Sequence, residues 1–238
     1  MAITVLFLGA GARSGDHEPP IWIAEHDGGL LIERFVEACK GLDAQLVFAV
    51  SSRDVSRFYI DDIIRLTAPS AVIVPITGQT QGAACTALFC IEHIGKDSEL
   101  LVLNSNELLD IDYADPVRDF RHRQLDAGIV VFPSLHPRYS YVRLDTDNLI
   151  EEASEKRPIS RHAMAGFSWF RHGADLILGA QKMIAKDAHV DGQFYVSLVF
   201  NELVLRQRRM GVFMIDTKQY RPLKSRRQVD AYEAELGS

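Results

Sequence analysis

The residues best placed to do chemistry stand near the start of the chain. An apolar strand, Thr4 to Leu8, runs directly into Gly9-Ala10-Gly11-Ala12-Arg13. Glycines after a strand let backbone N–H groups come close to a phosphate, and an arginine adds a fixed positive charge. The loop therefore points to a nucleotide or sugar-phosphate site. A purely structural turn is the competing reading, because a lone glycine-rich loop is a weak signal.

A dinucleotide-binding unit would need a third glycine opening a helix directly and an acidic residue closing the second strand. Here Ser14 takes the glycine position, and Pro19-Pro20 intervenes before any helix. The second strand runs out in Val50-Ser51-Ser52-Arg53. These residues argue for a long phosphate-gripping loop instead.

The elements that must position such a loop are legible as alternating patterns. Apolar runs at Ile3–Leu8, Gln45–Val50, Ala71–Ile76 and Leu100–Leu103 predict strands. Helical periods lie between them at Leu30–Cys39, Val55–Leu66 and Ala83–Ile94. Strands and helices alternating at this spacing predict an α/β fold: three layers, a mostly parallel but mixed sheet, and helices on both faces. After about residue 110 the strands come closer together, at Gly128–Phe132, Tyr139–Leu144 and His162–Phe170. They predict an antiparallel extension laid over the end of the sheet. Helices at Ala174–Lys186 and Tyr195–Arg206, a strand at Gly211–Ile215 and a last helix from about Arg226 complete the pattern. The expectation is one domain over residues 1–238, with a nucleotide-binding half to residue 110 and a second half covering the substrate.

Composition narrows the function classes. The chain has 238 residues, is 47% hydrophobic and carries a net charge of −6 with both signs interspersed, which argues against wholesale nucleic-acid binding. Cys39, Cys85 and Cys90 are too few and scattered for a disulfide framework or a zinc site. The chain opens on a strand rather than a basic leader, and no apolar run reaches membrane-spanning length. A cytoplasmic protein with no membrane span is expected.

Four further segments, taken with the glycine loop, resemble one family. Glu25-His26-Asp27-Gly28-Gly29-Leu30-Leu31-Ile32-Glu33, Thr77-Gly78-Gln79-Thr80-Gln81-Gly82-Ala83-Ala84, Glu155-Lys156-Arg157-Pro158 and Ala165-Gly166-Phe167-Ser168-Trp169-Phe170 follow one another in order. The order is similar to that of the sugar-phosphate nucleotidylyltransferases, over nearly the whole chain. The resemblance implies transfer of a nucleotidyl group from a nucleoside triphosphate to a sugar phosphate or similar small molecule, with release of pyrophosphate, for nucleotide-sugar and surface-polysaccharide synthesis. It implies that Gly9, Ala10, Gly11, Ala12 and Arg13 face the triphosphate, with Gln79 and Gly82 near the base. Glu155, Lys156 and Gly166 would face the sugar phosphate, Arg13 and Lys156 being the catalytic cations. Mg²⁺ is the implied cofactor, and a homo-oligomer is compatible with the resemblance.

Two positions depart from the family pattern. Pro19-Pro20 stands where the family has Pro-Lys, and Asn106 where it has an Mg²⁺-binding Asp; Glu107, Asp110 or Asp112 is then the nearest carboxylate. Asn offers a neutral oxygen, a weaker ligand than carboxylate for a hard cation. Lys224, Arg226 and Arg227 fill the region of a further family element and could supply the missing charge. The departures keep open a non-catalytic homologue that binds nucleotide or sugar phosphate in a regulatory or scaffolding role. A nucleotide-sugar-dependent glycosyltransferase is the third class, with Asp110-Ile111-Asp112 as its only paired-carboxylate motif. Asp16-His17-Glu18 reads as an exposed loop triplet, and the cysteines show no catalytic pattern.

Overall fold

The computed structural model describes residues 3–11, 18–26 and 28–223. At its centre runs β1 (Ile3–Leu8), every residue of it buried. A two-stranded ribbon, β2 (Glu25–His26) and β3 (Gly29–Leu30), leads into α1 (Leu31–Ala38) and then β4 (Ala44–Ser51). α2 (Ser52–Phe58) and α3 (Ile60–Thr67) precede β5 (Val72–Ile76), and α4 (Ala83–Phe89) precedes β6 (Glu99–Asn104). The rest of the chain adds β7 (Glu107–Leu109), α5 (Ala114–His122), β8 (Ala127–Pro133), β9 (Ser140–Leu144), β10 (Ile150–Glu155) and β11 (His162–Phe170). α6 (Gly173–Ala185), α7 (Val196–Val204), β12 (Met210–Met214) and β13 (Tyr220–Pro222) follow.

The main sheet runs β12-β8-β11-β6-β1-β4-β5. β1 pairs in parallel with β4 and β6, and β4 with β5, while β11 lies antiparallel between β6 and β8. β9 and β10 extend the sheet from the first residues of β11. The second half therefore does not lie over the end of the sheet. Its strands β8 and β11 are mostly buried and pair within the main sheet, so they enter the sheet itself.

Period-two alternation splits the apolar residues between two faces. Ile3, Val5 and Phe7 of β1 pack with α1, α3 and α5 through Phe35, Ile64 and Phe120. Leu6 and Leu8 pack with α4, α6 and α7 through Ala87, Leu176 and Val199. The expected three layers are present.

Two predicted helices are shorter than their periodicity suggests. The stretch Val55–Leu66 is two helices because Tyr59 sits between them at φ 52°, a left-handed residue. The stretch from Ala83 ends as an α-helix at Phe89 and tightens into a 3-10 turn at Ile91–His93. The last helix, expected from Arg226, lies outside the described residues.

Candidate active site

A cavity of about 530 Å³ opens where β1, β5 and β6 end. Its wall includes Ala10 and Gly11 after β1, Gln79, Thr80, Gly82 and Ala83 after β5, and Asn104, Asn106 and Glu107 at the end of β6. The carboxyl ends of parallel strands are where open α/β sheets bind their ligands. From the second half come Glu155 and Gly166, so two halves of the sequence meet in one space.

The loop that follows β1 is anchored from below. Gly9 N donates to Ala49 O at 2.8 Å, and Gly9 packs on the Trp22 ring. Gly9 is thus under the cavity, while Ala10 and Gly11 line it. Ala12 and Arg13 lie outside the described residues. Pro20 is buried at the start of the 3-10 turn Ile21–Ile23, and Lys224, Arg226 and Arg227 lie outside the described residues.

The loop after β5 is held by a segment with no predicted role. Phe194 N donates to Gln81 O at 2.7 Å, and Ala84 N donates to Phe194 O at 3.0 Å. Gly82, at φ 110°, allows this approach: a Cβ there would lie 2.5 Å from Phe194 O. Gln193, Tyr195 and Ser197 line the cavity beside it. Asp191-Gly192, an Asp-Gly turn signal in the sequence, could have flagged this segment. Arg138, Ser140 and Asn104 are further lining residues that motif reading did not select. Arg138 is exposed, its guanidinium 4.6 Å from the Tyr139 ring centre and hydrogen-bonded to the Tyr139 hydroxyl.

Two carboxylates stand in the cavity wall, Glu107 and Glu155, each 8% exposed. Glu155 Oε2 accepts from Ser197 Oγ at 2.8 Å and from the Ser140 hydroxyl. Burial pushes the Glu155 carboxyl above its ordinary value; the two serines and Lys156 oppose that, and the Glu107 charge adds to it. Glu107 Oε2 is 3.4 Å from Asn104 Nδ2 and fills the space beside Gly166, which has φ 70°. Burial, and then the Glu107 charge, raise the Tyr220 hydroxyl well above its ordinary value. β13 brings Tyr220 there by pairing with β7, and Leu223 N donates to Asn106 O at 2.8 Å.

Lys156 stands at the rim rather than in the wall. Its Nζ donates to Asp191 Oδ2 at 2.8 Å and lies 5.6 Å from the Tyr195 ring centre. Asp191, first, and Tyr195 raise the ammonium above its ordinary value, and the same ion pair lowers Asp191.

The other candidate groups are engaged elsewhere. Arg221 Nε donates to Asp110 Oδ2 at 2.7 Å, and Asp112 Oδ1 accepts from Ala114 N at 2.9 Å at the start of α5. Neither aspartate lines the cavity. Burial pushes the thiols of Cys39 and Cys90 up to about 12 and about 11, away from nucleophilic use. Among the described residues no group of three or more His, Cys, Asp or Glu converges as a metal site, and no helix is long and apolar enough to cross a membrane.

No family model matches the sequence, and the search of curated proteins gives no match. Solved structures do match. The nucleoside-diphosphate-sugar pyrophosphorylase from Vibrio cholerae RC9 aligns with a TM-score of 0.80 at 17% identity, over 98% of this chain and 99% of that one. A Bacillus anthracis protein assigned as a glucose-1-phosphate thymidylyltransferase, solved with sucrose, gives 0.73 at 13%, over 98% and 95%. HddC from Yersinia pseudotuberculosis, complexed with GMP-PN, gives 0.64 at 16%, over 99% and 100%. With identities this low the likeness is one of architecture: the chain shares its α/β fold with these three proteins.

Proposed function

We propose that the protein transfers a nucleotidyl group from a nucleoside triphosphate to a sugar phosphate or similar small phosphorylated acceptor. The carrying observation is the cavity that gathers Ala10, Gly11, Gln79, Gly82, Asn106, Glu107, Glu155 and Gly166 from distant parts of the chain. The fold shared with a pyrophosphorylase and a thymidylyltransferase supports it.

In this reading an oxygen of the acceptor phosphate attacks the α-phosphorus, and the bond to the leaving pyrophosphate breaks. No covalent enzyme intermediate is needed; positioning and charge neutralisation do most of the work. The amides around Ala10, Gly11 and Ala12, with Arg13, grip the triphosphate, and Gly9 sets the loop's height. Gln79 and Gly82 face the base. Glu155 accepts hydrogen bonds from acceptor hydroxyls, Lys156 meets the acceptor phosphate, and Gly166 leaves room for Glu107. Residues 1–110 serve the nucleotide and residues 111–238 the acceptor, within one domain.

The donor set suits an Mg²⁺ that arrives with phosphate, because such ions use one or two protein carboxylates and take their other ligands from phosphate and water. Glu107, with the Asn106 amide oxygen, would hold it. The ion supplies neutralisation of charge on the phosphates. Nucleotide-sugar and polysaccharide synthesis in the cytoplasm is the setting this chemistry fits.

The neutral amide at Asn106 and the buried Pro20 favour a second reading, a binding protein without turnover. A thermal-shift panel of triphosphates, diphosphates, nucleotide-sugars and sugar phosphates, with and without Mg²⁺, separates the two. An Mg²⁺-dependent shift with one triphosphate, followed by pyrophosphate release in a turnover assay, supports transfer. A metal-independent shift without turnover supports the binding protein, and no shift at all rejects both.

A further inference from the structure

Residues 190–197 join the two ends of the cavity. Asp191 and Gly192 are both left-handed, at φ 50° and 72°. They form a two-residue turn closed by Val190 and Gln193, whose amides donate to each other's carbonyls at 3.1 and 3.0 Å. Gly192 N adds a bond to His189 Nδ1 at 3.1 Å. On one side of this turn Asp191 holds Lys156 Nζ at 2.8 Å. On the other, the Phe194 backbone bonds Gln81 at 2.7 Å and Ala84 at 3.0 Å. Farther on, Ser197 bonds Glu155 at 2.8 Å.

We propose that Asp191 is a positioning residue for Lys156, and that the turn carrying it keeps this acceptor-side cation in register with the loop Gln79–Ala83 on the nucleotide side. The proposal rests on the function inferred above. A lysine ammonium ends a flexible four-carbon stem, and at an exposed rim it samples many positions. Here the stem is fixed at both ends. Lys156 is left-handed at φ 56° with its N–H donated to Tyr139 O at 3.0 Å, and its ammonium is bound to Asp191. With side chains 42% and 70% exposed, the ion pair adds little to stability, so its effect is on geometry. Asp191 takes one of the three ammonium donors and Tyr195 engages a second, which leaves one for a phosphate oxygen. The negative charge of Asp191 also repels phosphate, so the sign of its effect on binding decides between positioning and competition.

The test uses the full chain with glucose 1-phosphate as probe, titrated calorimetrically into wild type, Asp191→Asn, Asp191→Glu, Lys156→Ala and the Asp191→Asn/Lys156→Ala double variant. Asp191→Asn is expected to weaken binding roughly tenfold, and Asp191→Glu to restore most of the loss. The double variant should bind no worse than Lys156→Ala alone, since residues acting as one unit are not additive. Tighter binding by Asp191→Asn, or additive losses in the double variant, overturns the proposal.

A ligand-free readout separates this proposal from the inferred function. In protein with reductively ¹³C-methylated lysines, the Lys156 signal is identified by its loss in Lys156→Arg. It should stand apart from the exposed-lysine envelope, rejoin it in Asp191→Asn, and move in Gly82→Ala, which pushes on Phe194. A Lys156 signal inside the envelope in wild type overturns the positioning role, and one unmoved by Gly82→Ala overturns the link to the loop. A displaced signal without glucose 1-phosphate binding upholds positioning and counts against a hexose phosphate as the acceptor.

Discussion

The carboxylate of Glu107 occupies the place that a side chain at Gly166 would need. A Cβ built on Gly166 overlaps Glu107 Oε2, and it comes within 3.1 Å of Asn104 Cβ. β11 bulges at this point, between its pairing at Met164 and at Ser168, and Gly166 is left-handed at φ 70°. Gly166→Ala should cost about 1–2 kcal/mol from the left-handed backbone alone. It should also expel Glu107 from the cavity wall. Urea denaturation reads the first effect, and ligand-induced thermal shifts read the second. A variant as stable as wild type with unchanged shifts would refute both.

Gly82→Ala meets backbone rather than a flexible side chain. The new methyl would stand 2.5 Å from Phe194 O and 2.7 Å from Phe194 N, on a residue at φ 110°. Neither atom can rotate away, so the expected loss is larger, roughly 2–3 kcal/mol. A fall in the denaturation midpoint smaller than that of Gly166→Ala would contradict the ranking.

Glu155 gives stability a signed dependence on pH. Burial raises its carboxyl above the ordinary 4.5, so the folded chain binds this proton more tightly than the unfolded chain. Stability from this group is therefore greatest below the unfolded value and declines as pH rises through the folded one. Glu155→Gln cannot ionise and lacks that decline. The stability of the variant minus that of wild type should grow with pH across this window and then level off. Urea titrations from about pH 4 to about pH 7 would measure it, and a flat or falling difference would reject the assignment.

Asn106→Asp places a second carboxylate beside Glu107. More negative charge in a hard-cation site raises affinity for that cation. The half-saturating Mg²⁺ concentration for triphosphate-induced stabilisation should therefore fall. No change in that concentration would remove Asn106 from the metal's neighbourhood.

Arg13→Ala and Lys156→Ala are expected to act on different ligands. Each removes a charge-assisted contact of about 1.5–3 kcal/mol, the first for triphosphate and the second for sugar phosphate, with the fold intact. Calorimetric titration of both ligands into both variants checks the division. Equal losses for both ligands, or none, would undo the site assignment.

The sequence shows most strongly where burial is uniform. β1 and β11 have the predicted limits because apolar residues dominate each of them and all but two of their residues taken together, His162 and Gly166, are buried. β10 went unread because Ile-Glu-Glu-Ala-Ser-Glu is mostly polar; it is a strand because β9 pairs one edge and Asn201 of α7 bonds both the N–H and the C=O of Ala153, at 2.8 and 2.9 Å. α5 was hidden by its charged composition and by Pro116, although proline is tolerated in a first turn and Val117 and Phe120 are fully buried. The site divides in the same way. Short motifs led to Gly11, Gly82, Glu155 and Gly166, whereas Arg138, Tyr195 and Ser197 reach the cavity only through tertiary packing.

The antiparallel place of β11 has a consequence for synthesis of the chain. β6 is paired with β1 on one edge, but its other edge waits for Phe167–Phe170 of β11. While the ribosome is still making the intervening residues, that edge offers unsatisfied amides and carbonyls in the middle of an apolar sheet. Such an edge is a template for pairing with other chains. The nascent protein is therefore most vulnerable to misassociation after β6 emerges and before β11 does, and pausing of translation in that interval would lengthen the exposure.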